Sequence, residues 1–275
     1  MNVMVTGGSG FLGRHVLREC LDRDMNVISL SHSEKRLSEV QRMFPSVPFY
    51  TTDISNGNIS IENLVEKYQV DYIVHTAAMK YIGVCETNPT RTVEVNIDGS
   101  RNLINIAKKH GVKNIVAVST DKAINPTSVY GSSKLIMEKM MLEYNFSVLQ
   151  GVNFFYSTGS VLDIWFEAMN KNKPISINVN DTVRYFVDAS EVAKKLVDSF
   201  DVHGEYISLD TCYRMKLHDL AKAFCKFHNY DKTSDYHPIT AEKNEEEIPE
   251  NVLIKDADVA MIQTLLAEYY EKDKR

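Results

Sequence analysis

Short apolar runs alternate with amphipathic stretches through the first half of the chain. "NVMVT" (Asn2–Thr6) reads as a buried strand, and "FLGRHVLREC" after it as a helix. "NVISL" (Asn26–Leu30), "VPFYT" (Val47–Thr51), "DYIVHTA" (Asp71–Ala77) and "NIVAVST" (Asn114–Thr120) predict four more strands. Thr92–Gly111 predicts a long helix closed by a glycine cap. Short, continuously apolar strands separated by helices form a parallel sheet covered on both faces. The expected fold class is therefore α/β, a doubly wound parallel sheet.

Beyond it, Thr127–Tyr144 reads as a helix whose Met137, Met140 and Met141 fill the core. "SVLQGVNFF" (residues 147–155) reads as one strand, followed by helices at Gly159–Asn170, Ala189–Phe200 and Leu217–Phe227. Ala241–Glu250 is acidic and expected in solvent, and the chain closes on a helix with a basic end. The pattern loosens after Ser147, which places a smaller α/β lobe from about Gly151. The expected division is residues 1–150 and residues 151–275, the second interleaved with the first.

Charge and composition narrow the partners. A net charge of −6 argues against nucleic acid or an anionic membrane as the main partner. The chain opens directly on strand-like "MNVMVTGG", and no apolar run approaches the roughly 20 residues that span a bilayer. A cytoplasmic location without a membrane partner is expected. The four cysteines lack C-x-x-C pairing and the eight histidines lack ligand spacing, so thiols stay free and no metal is expected.

Two segments carry chemistry. "TGGSGFLG" (Thr6–Gly13) joins the first strand to the first helix, with Gly7, Gly10 and Gly13 in a variant of the dinucleotide spacing. Its backbone amides and the helix amino end would receive a diphosphate, with Ser9, Phe11 and Leu12 in the same loop. The second strand ends on Ser31 rather than an acid, and Ser31 with Lys35 or Arg36 could bind a 2′-phosphate. NADP is preferred and NAD is the alternative; on the other reading Lys35 and Arg36 only solvate a helix.

"STDKAINPTSVYGSSK" (Ser119–Lys134) places Tyr130 and Lys134 one helical turn apart. An ammonium beside the phenol favours phenolate, so the tyrosine pKa is expected below its usual value of about 10. The tyrosine can then take a proton from a sugar hydroxyl, and Thr120, at a strand's carboxyl end, can bond the same hydroxyl. Asp121 and Lys122 read either as reactive groups or as a polar turn in which Asp121 caps the next helix.

These two segments and "HTAAMKYIGVCETNP" (His75–Pro89) resemble the Rossmann-like extended short-chain dehydrogenase/reductases. More narrowly they resemble the inverting UDP-N-acetylglucosamine 4,6-dehydratases of flagellin-glycan and capsule pathways, which carry S-T-D-K-A-x-N-P. The likeness covers residues 1–145 well and thins thereafter. It implies a UDP-N-acetylglucosamine substrate and a homo-oligomer, at least a dimer, paired through the two long helices. After oxidation at C4, Lys122 would remove the C5 proton and Asp121 would protonate the departing C6 hydroxyl. Hydride would then return to C6, with reprotonation of C5 from the opposite face.

The resemblance also implies that Asp53 and Ile54 meet the adenine, that Ala77 and Ala78 pass beneath the pyrophosphate, and that Lys80 lies near the active site, serving cofactor and substrate. Asn96 is implied behind the tyrosine, with Asn153, Arg184 and Glu242 on the substrate side. Family arginines are replaced by Gln150, Thr158 and Ile239, which points to an altered grip on the nucleotide sugar. Two alternatives stand: a 4-epimerase or ketoreductase, which has no use for Asp121 and Lys122, and a non-catalytic NADP sensor.

Overall fold

The computed structural model describes residues 1–56, 59–178, 182–236 and 247–273. The chain divides into two compact units: Met1–Gly151 with Ser190–Ser208, and Val152–Ala189 with Leu209–Arg275.

The first unit is built on seven strands: β1 (Asn2–Thr6), β2 (Asn26–Ser31), β3 (Phe49–Thr51), β4 (Tyr72–His75), β5 (Asn114–Thr120), β6 (Ser147–Gly151) and, late in the chain, β10 (Tyr206–Ile207). Their spatial order is β10-β6-β5-β4-β1-β2-β3, all parallel. The order reverses beside β1, between β2 and β4, which is where such sheets open a crevice at their carboxyl edge.

Flanking helices are α1 (Phe11–Asp22), α2 (Glu34–Met43), α3 (Ile59–Tyr68), α4 (Ile82–Thr87), α5 (Pro89–Val93), α6 (Gly99–His110), α7 (Val129–Glu143) and α9 (Ala189–Asp198). Met4, Ile73, Leu103, Ile104, Ile115 and Met137 lie in one core cluster between sheet and helices. The expected glycine cap is present: α6 ends at Gly111 with φ 68°, after Lys108, Lys109 and His110, whose charge suits a helix carboxyl end. The long helix itself is interrupted, because Glu94–Asp98 forms a π-helical turn between α5 and α6. Such wider turns occur often at functional sites.

The expected strand over residues 147–155 divides at Val152. Its first half is β6, and its second half is β7 (Asn153–Phe154), which belongs to the second unit. There β7 joins β9 (Val183–Val187), β11 (Thr211–Lys216) and β13 (Leu253–Asp256) in the order β13-β11-β9-β7. Only the β9–β11 pair is antiparallel. A two-stranded parallel ribbon of β8 (Ile175–Asn178) and β12 (Thr233–Tyr236), with α8 (Val161–Asn170), α10 (Leu217–His228) and α11 (Val259–Asp273), completes this unit. Its core gathers Phe155, Trp165, Phe186, Phe224 and Leu266, and the Trp165 indole donates to Ser176 O at 2.8 Å. Among the described residues, no helix is long and apolar enough to cross a membrane.

Candidate active site

The carboxyl ends of β1, β4 and β5 lie side by side, with Thr6 opposite His75 and His75 opposite Ala117. The glycine loop turns off β1 with Gly7 N donating to Leu30 O at 2.8 Å. Gly7 has φ 73°, and a Cβ there would meet Ala77 N at 2.7 Å. A Cβ on Gly13 would strike Gly7 O and lie 2.6 Å from Gly8 Cα. The backbone is thus packed too closely for side chains at both positions. No side-chain oxygen caps the amino end of α1, whose N-cap is Gly10. A cradle closed to side chains, beside an uncapped helix amino end, fits a dinucleotide diphosphate.

The remaining expected cofactor positions surround this loop. Ser9 and Ser31 share a hydrogen bond of 2.5 Å, and Ser33 N donates to Ser31 Oγ at 3.3 Å. Arg36 is exposed on the first turn of α2. Asp53 is held by Ser55 N at 2.9 Å, by Ser55 Oγ at 2.7 Å and by Arg91. Burial pushes the Asp53 carboxyl up, but Ser55 and Arg91 outweigh it and keep the pKa below its ordinary value. Ile54 is buried, and its side chain occupies the space a Cβ on Gly99 would need. Ala77 and Ala78 are half-buried on the segment leaving β4, and Lys80 is exposed over the Tyr81 ring.

At the end of β5 the residues expected to react form a row. Tyr130 hydrogen-bonds Thr120. The Thr120 hydroxyl donates to Asp121 Oδ1 at 2.7 Å, and Lys122 Nζ donates to Asp121 Oδ1 at 3.1 Å and Oδ2 at 3.2 Å. Residues 121–123 form a single 3₁₀ turn capped by Thr120, whose hydroxyl accepts from Lys122 N; the cap is Thr120, not Asp121. A Cβ on Gly131 would strike Lys122 O, so this turn packs directly on α7. The amino end of α7 is pinned by Ser128, which accepts from Gly131 N at 3.1 Å, and by Glu86, which accepts from Val129 N at 2.7 Å.

The electrostatics correct one expectation. Burial pushes the Tyr130 phenol up to about 12, against the lowering effects of Lys122 and Thr120, while Asp121 and Cys85 add to the rise. The cation acting most on the phenol is Lys122 rather than Lys134. Burial in turn pulls the Lys134 ammonium down to about 8, with Glu138 opposing.

Behind the row runs a buried polar network. Thr6 Oγ1 and His75 Nδ1 are 2.7 Å apart, His75 Nε2 and Ser100 Oγ 3.0 Å, and Ser100 Oγ donates to Asn96 O at 2.7 Å. Asn96, in the π turn, accepts from Met79 N at 2.8 Å and donates to Met79 O and Ser133 Oγ, each at 3.0 Å. Ser133 donates on to Tyr130 O at 2.7 Å. Asn96 therefore ties the segment after β4 to α7. Burial, aided by the Lys134 charge, draws the His75 pKa down to about 3, so the ring is neutral.

Gln150 is held inside the first unit. It stands opposite Ser119 on β6, and its amide donates to both oxygens of Glu138, each at 3.1 Å. In the second unit, Asn153 donates to Tyr185 O at 3.0 Å and Arg184 to Val183 O at 2.9 Å. Thr158 is half-buried. Glu242 and Ile239 lie outside the described residues. Glu138, His75 and Ser133 escaped the sequence reading; the only signal was a glutamate one turn after Lys134, which looks like any solvated helix position.

A family model described as polysaccharide biosynthesis protein matches residues 3–270. A UDP-N-acetylglucosamine 4,6-dehydratase (inverting) of Campylobacter jejuni is 30% identical over 238 residues, 81% of this chain and 70% of that protein. A UDP-glucose 4-epimerase of Rickettsia bellii is 30% identical over 216 residues, 73% of this chain and 60% of that one. The chain thus spans between 60% and 70% of these relatives' length. Among solved structures, a UDP-glucose 4-epimerase with UDP-glucose from Thermotoga maritima is similar in fold, with a TM-score of 0.85 at 21% identity and 100% of both chains covered.

Proposed function

The chain belongs to the polysaccharide biosynthesis protein family, within the extended short-chain dehydrogenase/reductases, and on that premise we propose that it is an NADP-dependent nucleotide-sugar 4,6-dehydratase. Its substrate is UDP-N-acetylglucosamine, and C5 is inverted. The observation that carries this reading is the Asp121–Lys122 ion pair, joined through Thr120 to Tyr130. A dehydrogenase that only oxidises and reduces a carbinol needs a tyrosine and its supports. Loss of water from the same sugar needs a further acid and a further base.

Proton bookkeeping favours the pair. One proton moved from Lys122 Nζ to Asp121, across 3.1 Å, converts ammonium and carboxylate into amine and carboxylic acid. The amine then accepts the C5 proton, which the C4 ketone acidifies, and the acid protonates the leaving C6 hydroxyl. Elimination returns the two residues to the ion pair. Tyr130, bonded to Thr120, would accept the C4 hydroxyl proton as the phenolate, the form that burial opposes and the Lys122 charge favours. The nicotinamide, when bound, supplies the hydride exchange of this chemistry; the glycine cradle, Ser9, Ser31 and Lys134 would hold it. Lys80, Asn153, Arg184 and Glu242 are assigned to the sugar nucleotide.

The 30% identical epimerase supports a second reading, in which Asp121–Lys122 is a structural ion pair only. Incubation with UDP-N-acetylglucosamine in heavy water, followed by NMR, separates them. A 4-keto-6-deoxy sugar with deuterium at C5 is expected. Axial–equatorial inversion of the C4 hydroxyl alone means an epimerase, and cofactor binding without turnover means a sensor; either sinks the dehydratase.

A further inference from the structure

Lys134 and Glu138 stand one turn apart on α7, 3% and 0% exposed. Two ionisable side chains taken out of water in one helix are costly unless each offsets the other. The surroundings of Glu138 are built for a carboxylate. Gln150 donates from β6 to both of its oxygens at 3.1 Å, and Tyr206 donates from β10 to Oε2 at 3.0 Å. Tyr206 in turn accepts from Lys139 Nζ at 3.1 Å. The direct donors are neutral, so they orient the carboxylate without cancelling its charge. Among the described residues no cation hydrogen-bonds Glu138.

Tyr130 is one turn before Lys134 on α7, and His75 on β4 is neutral and supplies no counter-charge. Glu138 is the anion that raises the Lys134 affinity for its proton against burial.

We infer that Glu138 is a positioning residue: a counter-anion, fixed from two other strands by Gln150 and Tyr206, that keeps Lys134 charged beneath the reactive row. It acts through Lys134 and, being fully buried, touches no substrate. The functional consequence rests on the assignment of Lys134 to the reactive set. Gln150 accordingly orients this anion instead of gripping a nucleotide.

The test uses the full chain with isotope-labelled lysine, the Lys134 signal assigned by its loss in Lys134→Met. Its NMR titration is expected to fall by about one pH unit in Glu138→Gln. An unmoved Lys134 titration in folded Glu138→Gln overturns the inference. Should that variant not fold, Glu138→Met decides, since it removes the charge and needs no hydrogen-bond partner: the Lys134 titration must fall there too. A Lys134 titration unmoved in folded Glu138→Met overturns it equally. Turnover is measured on the same samples. A shifted Lys134 titration with unchanged turnover supports the counter-anion role and counts only against a catalytic Lys134.

Discussion

Lys122 Nζ lies 3.1 Å from Asp121 Oδ1, so two sequence neighbours at the end of β5 form an ion pair in which the Asp121 side chain is 2% exposed and that of Lys122 28%. The buried partner is the one proposed to carry a proton to the leaving group, and the more open partner the one proposed to take a proton from carbon. Lys122→Ala should lower dehydration by roughly 10²–10⁴-fold, the usual size of a general-base contribution, while nicotinamide cofactor binding persists. Product formation followed by NMR and cofactor binding followed by fluorescence check both halves. Dehydration retained near the wild-type rate removes Lys122 from the base role.

His75 links acid stability to the same network. Its pKa falls from 6.5 to about 3 on folding, so the unfolded chain binds more protons between those values. Stability contributed by the neutral ring is present above pH 6.5 and is lost as pH falls toward 3. The full effect is on the order of 3–5 kcal/mol, an upper bound. Urea unfolding at a series of pH values should show a shallower acid loss in His75→Gln, even though that variant starts less stable. Parallel pH profiles for the two proteins would contradict this account.

Gly13→Ala should abolish cofactor binding and lower the melting temperature together, because the new methyl has only Gly7 O and Gly8 to meet. A loss of about 1–3 kcal/mol of stability is expected from the displaced backbone. Calorimetry and a cofactor titration test it, and normal binding would show that the loop can relax.

Gln150→Leu separates an internal role from a substrate-gripping one. Removing the amide leaves Glu138 with Tyr206 as its one hydrogen-bond donor among the described residues, at a cost of about 1–3 kcal/mol. Denaturation should register that cost while KM for the nucleotide sugar stays unchanged. A raised KM with unaltered stability returns Gln150 to the recognition surface.

Much of the first unit was legible because its signals are local. Strand runs at Asn2–Thr6 and Asn114–Thr120 match β1 and β5, and the cap at Gly111 adopts the positive φ its position requires. The glycine spacing and the Tyr130–Lys134 interval report turn and helix geometry directly. The break at Val152 was hidden, since an apolar run reads alike whether it serves one sheet or two. The strands Val183–Val187, Thr211–Lys216 and Leu253–Asp256 escaped for a similar reason, their polar and mixed patterns giving no clean alternation.

By itself, the sequence determined the doubly wound class, the place of the glycine loop and the one-turn interval between Tyr130 and Lys134, because period, spacing and chain order are properties of neighbouring residues. Tertiary structure decided which charges act on which. Lys122 rather than Lys134 dominates the Tyr130 phenol, and Gln150 and Tyr206 converge on Glu138 across 12 and 68 residues of sequence. Electrostatic coupling depends on distance and burial in the folded chain, and neither can be read until β6 and β10 have been laid beside α7.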